Sequence, residues 1–273
     1  MEDSADGNGR YLQRVSPGRA RASLQEWDKS SYSQLNDLSG QEKGLLICIP
    51  HFGPFVATII SLAEALRESR EVFVFYDPPS VHQTNEVFDG LYHKIFSSPE
   101  SRVTVIHNNR VGITQAIKAL GRGAAVILMP DVYRDVSKTV LVPFLGRSRN
   151  VMLGAAVIAR KTGSTVLPVV SFPCGSSFEF KTRLGNPILP AQSQSDSGYD
   201  AMSDYSLTLK LFEAYEFMMA RSCIYWQYVI FHYRRRLSIS SLQESAVGDP
   251  RLLEVLVSDP RLRVGFKNYI EVQ

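Results

Sequence analysis

Short apolar runs alternate along this chain with stretches of helical periodicity, and proline, glycine or a polar turn closes most of the runs. That alternation limits the fold more than any other feature. Leu45, Leu46, Ile47, Cys48 and Ile49 form the clearest run, and Gly44 to Ile49 reads as a strand buried on both faces. Pro50 ends it, because proline has no N–H to give a sheet ladder. His51 follows at once, then Phe52, Gly53 and Pro54, and a helix is predicted from about Pro54 to Arg67. A titratable imidazole thus sits on a tight turn at the carboxyl end of a strand, the edge where open α/β sheets bind ligands.

The same reading continues down the chain. Val72 to Tyr76 is a β-branched and aromatic strand. Gln83 to Ile95 reads as a helix, Val103 to Ile106 as a strand, and Arg110 to Leu120 as a helix stopped by Gly121 and Gly123. Ala124 to Met129 is a buried strand, closed by Pro130 and Asp131. Val140 to Leu145 fits a short strand or hairpin arm. Val151 to Thr162 is predicted to be an apolar helix ended by Gly163, with strands at Thr165 to Val170 and Ser177 to Thr182. Gly185 to Gly198 is a loop, Ala201 to Ala220 a long helix, and Tyr225 to His232 a mostly aromatic segment. Buried strands separated by helices predict an α/β single domain, with a mostly parallel central sheet and helices on both faces.

That domain is expected to span residues 41–237. Residues 1–40, rich in Ser, Gly, Arg and Asp, read as a flexible arm with one short helix around Ser23 to Trp27. Residues 238–273 read as a short helical appendage in which Asp-Pro-Arg-Leu occurs at 249–252 and again at 259–262. Two copies do not make a repeat architecture.

With 273 residues and 44% apolar content, a sizeable core is expected. A net charge of +3 argues against a nucleic-acid partner, and no nucleic-acid motif occurs. Arginines do cluster at Arg234, Arg235 and Arg236, which suits either a solvated face or an anionic surface. Cys48, Cys174 and Cys223 are far apart and lie in or beside apolar segments. They read as core thiols in a reducing compartment, with neither disulfide nor metal-ligand spacing. The N-terminus lacks the apolar region of a signal peptide, and no stretch approaches the roughly 18 apolar residues of a span. The expected location is cytoplasmic, at most peripheral to a membrane.

Several segments, taken in order, resemble the bacterial lipid A biosynthesis acyltransferases, the late lauroyl/myristoyl transferase family. They are the strand leading into His51-Phe52-Gly53; Asn109-Arg110 with the helix ending Ala119-Leu120-Gly121-Arg122-Gly123; Ala125 to Asp131 followed by Val142-Pro143-Phe144-Leu145-Gly146; Gly154 to Pro168; and Gln227-Tyr228 with His232 and Arg234 behind. The resemblance implies acyl transfer from an acyl carrier protein or coenzyme A thioester, as co-substrate rather than bound cofactor. It also implies a histidine oriented by a carboxylate five residues on. Here that position is Val56, and the membrane helix usual in the family is missing.

Acyl transfer from a thioester needs a base for the attacking O–H or N–H, and donors for the oxyanion. His51 is the candidate base. No G-x-S-x-G elbow is present, so direct attack by the acceptor is the simpler scheme. Asp131 is the candidate second catalytic residue, placed to orient a substrate, to hold Arg110, or to replace the missing acid beside His51. Arg110, Arg134 and Arg149 are candidates for a donor phosphate or the oxyanion. Phe52, Gly53 and Asn85 complete the candidate binding residues, and Phe52, Phe55, Phe144 and the helix at Met152 to Ile158 are candidate walls for an acyl chain. His232 and Arg234 are expected to brace the C-terminal segment. These features fit three functions. One is a soluble acyltransferase acting on an amine or hydroxyl of a small, natural-product-like acceptor, served by an acyl or peptidyl carrier protein. Another is a peripheral enzyme acting on a membrane lipid. The last is a homologue that binds acyl chains or carrier proteins without turnover, for which Val56 argues.

Overall fold

A computed structural model describes residues 29–81, 83, 85–96, 98, 101–132, 139–174, 179–191, 200–234 and 249–262. Its sheet is built from β1 (Leu45–Cys48), β2 (Val72–Tyr76), β3 (Val103–His107), β4 (Ala125–Leu128), β7 (Thr165–Cys174) and β8 (Glu179–Leu184), in the order β3-β2-β4-β1-β7-β8. All neighbours run parallel except the antiparallel edge pair of β7 and β8. A separate antiparallel hairpin joins β5 (Thr139–Phe144) and β6 (Arg147–Met152).

The apolar runs are apolar because the sheet is covered twice. Along β1, Leu45, Ile47 and Ile49 enter one core layer, and Leu46 and Cys48 the other. The first layer is closed by α1 (Lys29–Ser39), α2 (Phe55–Leu66) and α3 (Asn85–Phe96). The second is closed by α4 (Arg110–Gly121), α5 (Gly154–Thr162), α6 (Ala201–Met219) and the β5–β6 hairpin. This is the α/β single domain that the alternation predicts. It also marks the edge at which sheets of this kind bind ligands. The chain leaves β1 toward α2 on one face, and leaves the adjacent β4 toward the hairpin and α5 on the other. Between two such diverging exits an open sheet leaves a crevice at its carboxyl edge.

Several elements differ from the sequence reading. Lys29–Ser39 is a helix, not part of a loose arm: Leu35 and Leu38 seat in the core, and buried Arg70 donates to the carbonyls of Leu38 and Ser39 in its last turn and of Gln41 just past it. The helix predicted at Ser23 to Trp27 lies outside the described residues. The helix predicted from Val151 starts at Gly154, because Val151 and Met152 pair with Val140 and Thr139 in the hairpin. Toward the C-terminus, α7 (Val229–Arg234) follows a 3₁₀ turn (Ala220–Tyr225), and α8 (Pro250–Ser258) packs on α6. Each Asp-Pro-Arg-Leu tetrad starts a helical turn. The aspartate accepts the backbone N–H of its arginine, and Leu252 and Leu262 are fully buried.

Candidate active site

His51 and Asp131 stand at matching places on two neighbouring strands. Cys48 of β1 pairs in register with Leu128 of β4, and each strand then runs three residues through a proline, to His51 and to Asp131. The parallel register therefore delivers both side chains to one crevice. His51 Nδ1 lies 2.8 Å from Asp131 Oδ1, and the His51 backbone N–H donates to Asp131 Oδ2 at 2.9 Å.

The Asp131 carboxylate is 1% exposed. Burial works against its ionisation. The charge and hydrogen bond of His51, the indole N–H of Trp226 and the charge of Arg149 outweigh that penalty and hold the carboxyl below its ordinary value. An ionised carboxylate has no proton to give, so His51 Nδ1 carries the hydrogen and donates it. In the neutral ring Nε2 is then the basic nitrogen. The ring packs between Phe55 and Tyr228, with centroids at 4.9 and 5.2 Å, and its side chain is 12% exposed.

The turn that carries His51 is fixed by Gly53. Its φ is +55°, and a Cβ there would fall 2.2 Å from the Ser171 carbonyl oxygen. Gly53 N–H donates to Tyr225 O at 3.0 Å and Gln227 N–H to His51 O at 2.9 Å, so the segment after α6 pairs with the histidine turn. Phe52 is 1% exposed and packs on Phe172; it anchors this turn in the core.

Arg149, on β6, is the candidate cation that the structure brings in. It is 5% exposed, donates to the Asp131 carbonyl at 2.5 Å, and lies over the Trp226 ring at 4.4 Å and the Tyr228 ring at 5.5 Å. Its Nε–H is buried with no hydrogen-bond partner among the described residues. Arg110 stands apart, exposed at the start of α4 beyond edge strand β3, three strand positions or about 14 Å of sheet from β1. Asn85 opens α3 and donates to the Asp77 carbonyl at 2.6 Å; no contact joins it to His51 or Asp131 among the described residues. Arg134 and the Arg234 side chain lie outside the described residues. Phe144 is 1% exposed and packs on Phe212, Trp226 and His232. His232 donates to the Phe144 carbonyl at 2.8 Å; burial and the charges of Arg149 and Arg147 push it down to about 4, so it braces this packing as a neutral ring.

The sequence reading missed two residues. Trp226 donates to Asp131 Oδ2 at 2.8 Å, and the Tyr215 hydroxyl of α6 is buried in the same neighbourhood, its phenol pushed up by burial and by Cys48 and Asp131. Trp226 lies 95 positions from Asp131. Its only sequence signal was its place in an aromatic run.

A family model described as bacterial lipid A biosynthesis acyltransferase matches residues 27–204, well over half of the chain. The chain belongs to that family. As a lipid A biosynthesis-type acyltransferase, it keeps the histidine turn and has Val56 as the second residue of α2, buried at 1%. The carboxylate that meets the histidine comes instead from the end of β4. No curated protein matches the chain. No helix among the described residues is long and apolar enough to cross a membrane.

Proposed function

We propose that this acyltransferase moves an acyl group from a carrier-protein or coenzyme A thioester to a hydroxyl or amine, with His51 as general base. The observation that carries this reading is the 2.8 Å contact between His51 Nδ1 and the buried, ionised Asp131. It leaves Nε2 free to take a proton from the acceptor as its oxygen or nitrogen attacks the thioester carbonyl. The carbonyl π electrons move to oxygen, giving an anionic tetrahedral intermediate beside the Arg149 cation and its unpartnered N–H. Collapse re-forms the C=O and breaks the C–S bond. The proton held at Nε2 then passes to the departing thiolate. An oriented base is what a hydroxyl needs, so the complete dyad supports a hydroxyl as well as an amine acceptor. A soluble acceptor and a cytoplasmic reaction belong to this reading.

The test offers octanoyl-, dodecanoyl- and hexadecanoyl-coenzyme A, and the same acyl groups on an acyl carrier protein, with a metabolite extract. An acylated product by mass spectrometry, absent with His51→Ala, is expected. Release of free thiol without any acylated acceptor would overturn it.

A second reading, a lipid acceptor met at a membrane surface, is favoured by a separate observation. Ile224 and Phe231 are 74 and 59% exposed on the segment that pairs with the His51 turn, Phe217 is 88% exposed near the end of α6 just before it, and Arg221 and Arg234 lie in the same stretch of sequence. Flotation with phosphatidylglycerol vesicles separates the two: binding that salt weakens supports the lipid acceptor, and none at low salt discards it.

A further inference from the structure

Asp131 stands in a turn after a strand, not on a helix, and a carboxylate in such a turn can rotate about its Cβ–Cγ bond unless both oxygens are engaged. Oδ1 faces His51 Nδ1. Oδ2 accepts two N–H groups, the backbone of His51 and the indole of Trp226, at 2.9 and 2.8 Å. The first of these moves with the histidine turn itself. Among the described residues only Trp226 ties Oδ2 to a different part of the molecule.

Trp226 is in turn fixed on every side. Its ring meets Phe144 and His232 edge-on, at 5.1 and 5.4 Å, and Arg149 covers a face at 4.4 Å. Its backbone bridges to Phe52, one residue from His51. It is 1% exposed, so its N–H has no water to turn to. It also lies beyond residue 204, where the family match ends.

We propose that Trp226 is a positioning residue, whose indole N–H locks Oδ2 of Asp131 so that Oδ1 stays aimed at His51, and that the site is therefore incomplete without the 220–234 segment. The proposal rests on the reading of His51 and Asp131 as the reacting dyad. Arg149 also holds the indole plane and the Asp131 carbonyl together.

The test uses the full chain, with octanoyl-coenzyme A as donor, the same metabolite extract as acceptor and acylated product as readout. Trp226→Phe removes the N–H and keeps most of the ring. A hydrogen bond to a buried charge is worth about ten- to hundredfold in rate, so kcat is expected to fall by that factor with little change in KM. The acid limb of the pH profile should move to higher pH, because Asp131 loses a donor that favours its charged form. A benzothienylalanine at position 226, which has the indole shape without the N–H, should reproduce the loss. A structural role alone would leave that analogue active. A readout that needs no turnover is the indole ¹H–¹⁵N spectrum, which in a chain with two tryptophans holds two signals. The Trp226 signal should lie downfield, resist solvent exchange and shift in Asp131→Asn. An unchanged rate and profile in the benzothienylalanine variant, whatever Trp226→Phe does, or an indole signal indifferent to Asp131→Asn, overturns the proposal. Loss of the dyad reading would show differently, as full activity in His51→Ala.

Discussion

His51 and Asp131 are joined at 2.8 Å because Cys48 and Leu128, three residues before each, are register partners on adjacent parallel strands. The contact depends on strand order as much as on the two residues. β4 inserts between β1 and β2, although β2 and β3 come between β1 and β4 in the chain.

If Asp131 holds the Nδ1–H tautomer of His51, then Asp131→Asn should keep the fold and lose rate. In a Ser-His-Asp triad the same change costs about 10⁴ in kcat, and a loss of about 10²–10⁴ is expected here for a hydroxyl acceptor. Stopped-flow turnover beside circular dichroism checks it. Wild-type turnover in a folded variant would remove Asp131 from the mechanism.

Arg149→Met keeps much of the stem and removes the charge. A cation placed for the oxyanion acts on the transition state, so kcat should drop about 10²–10³-fold with KM nearly constant. A raised KM with unchanged kcat would place Arg149 on the donor instead.

Gly53→Ala should destabilise by at least about 2 kcal/mol, since φ is +55° and the new Cβ would meet the Ser171 carbonyl oxygen. Denaturant unfolding measures it. An unchanged midpoint would mean that the turn adapts.

His232 has a folded pKa of about 4, below its ordinary 6.5, because burial and two arginines disfavour its charge. Between those values the unfolded chain takes up a proton that the folded chain refuses. Stability is therefore complete above about pH 6.5 and falls as pH drops toward 4, by on the order of 3 kcal/mol. His232→Gln, which can still donate to the Phe144 carbonyl, should flatten the unfolding free energy across that window. An unaltered slope would show that another group sets it.

Much of the fold was legible. β1, β2 and β4 announce themselves because both faces are buried, which leaves only apolar residues on the strand. The positions of His51 and Asp131 were also legible, since Pro50 and Pro130 mark two strand ends. Their pairing was legible only as one of three roles open to Asp131, because register between strands so far apart in sequence leaves no local trace. Arg149 was legible only as one arginine among several. Its strand, Arg147–Met152, carries two arginines and an asparagine and looks like a solvated loop until the hairpin buries it against Trp226. The helix at Lys29–Ser39 was hidden for a similar reason: Leu35 and Leu38 are too few to outweigh the polar residues around them.

The account turns most directly on one comparison, the single-turnover rate of acyl transfer by His51→Ala against wild type, on proteins with the same circular dichroism. Loss of the general base should lower that rate by about 10²–10⁴-fold. A rate equal to wild type would contradict the assignment of His51, and with it the role given to Asp131.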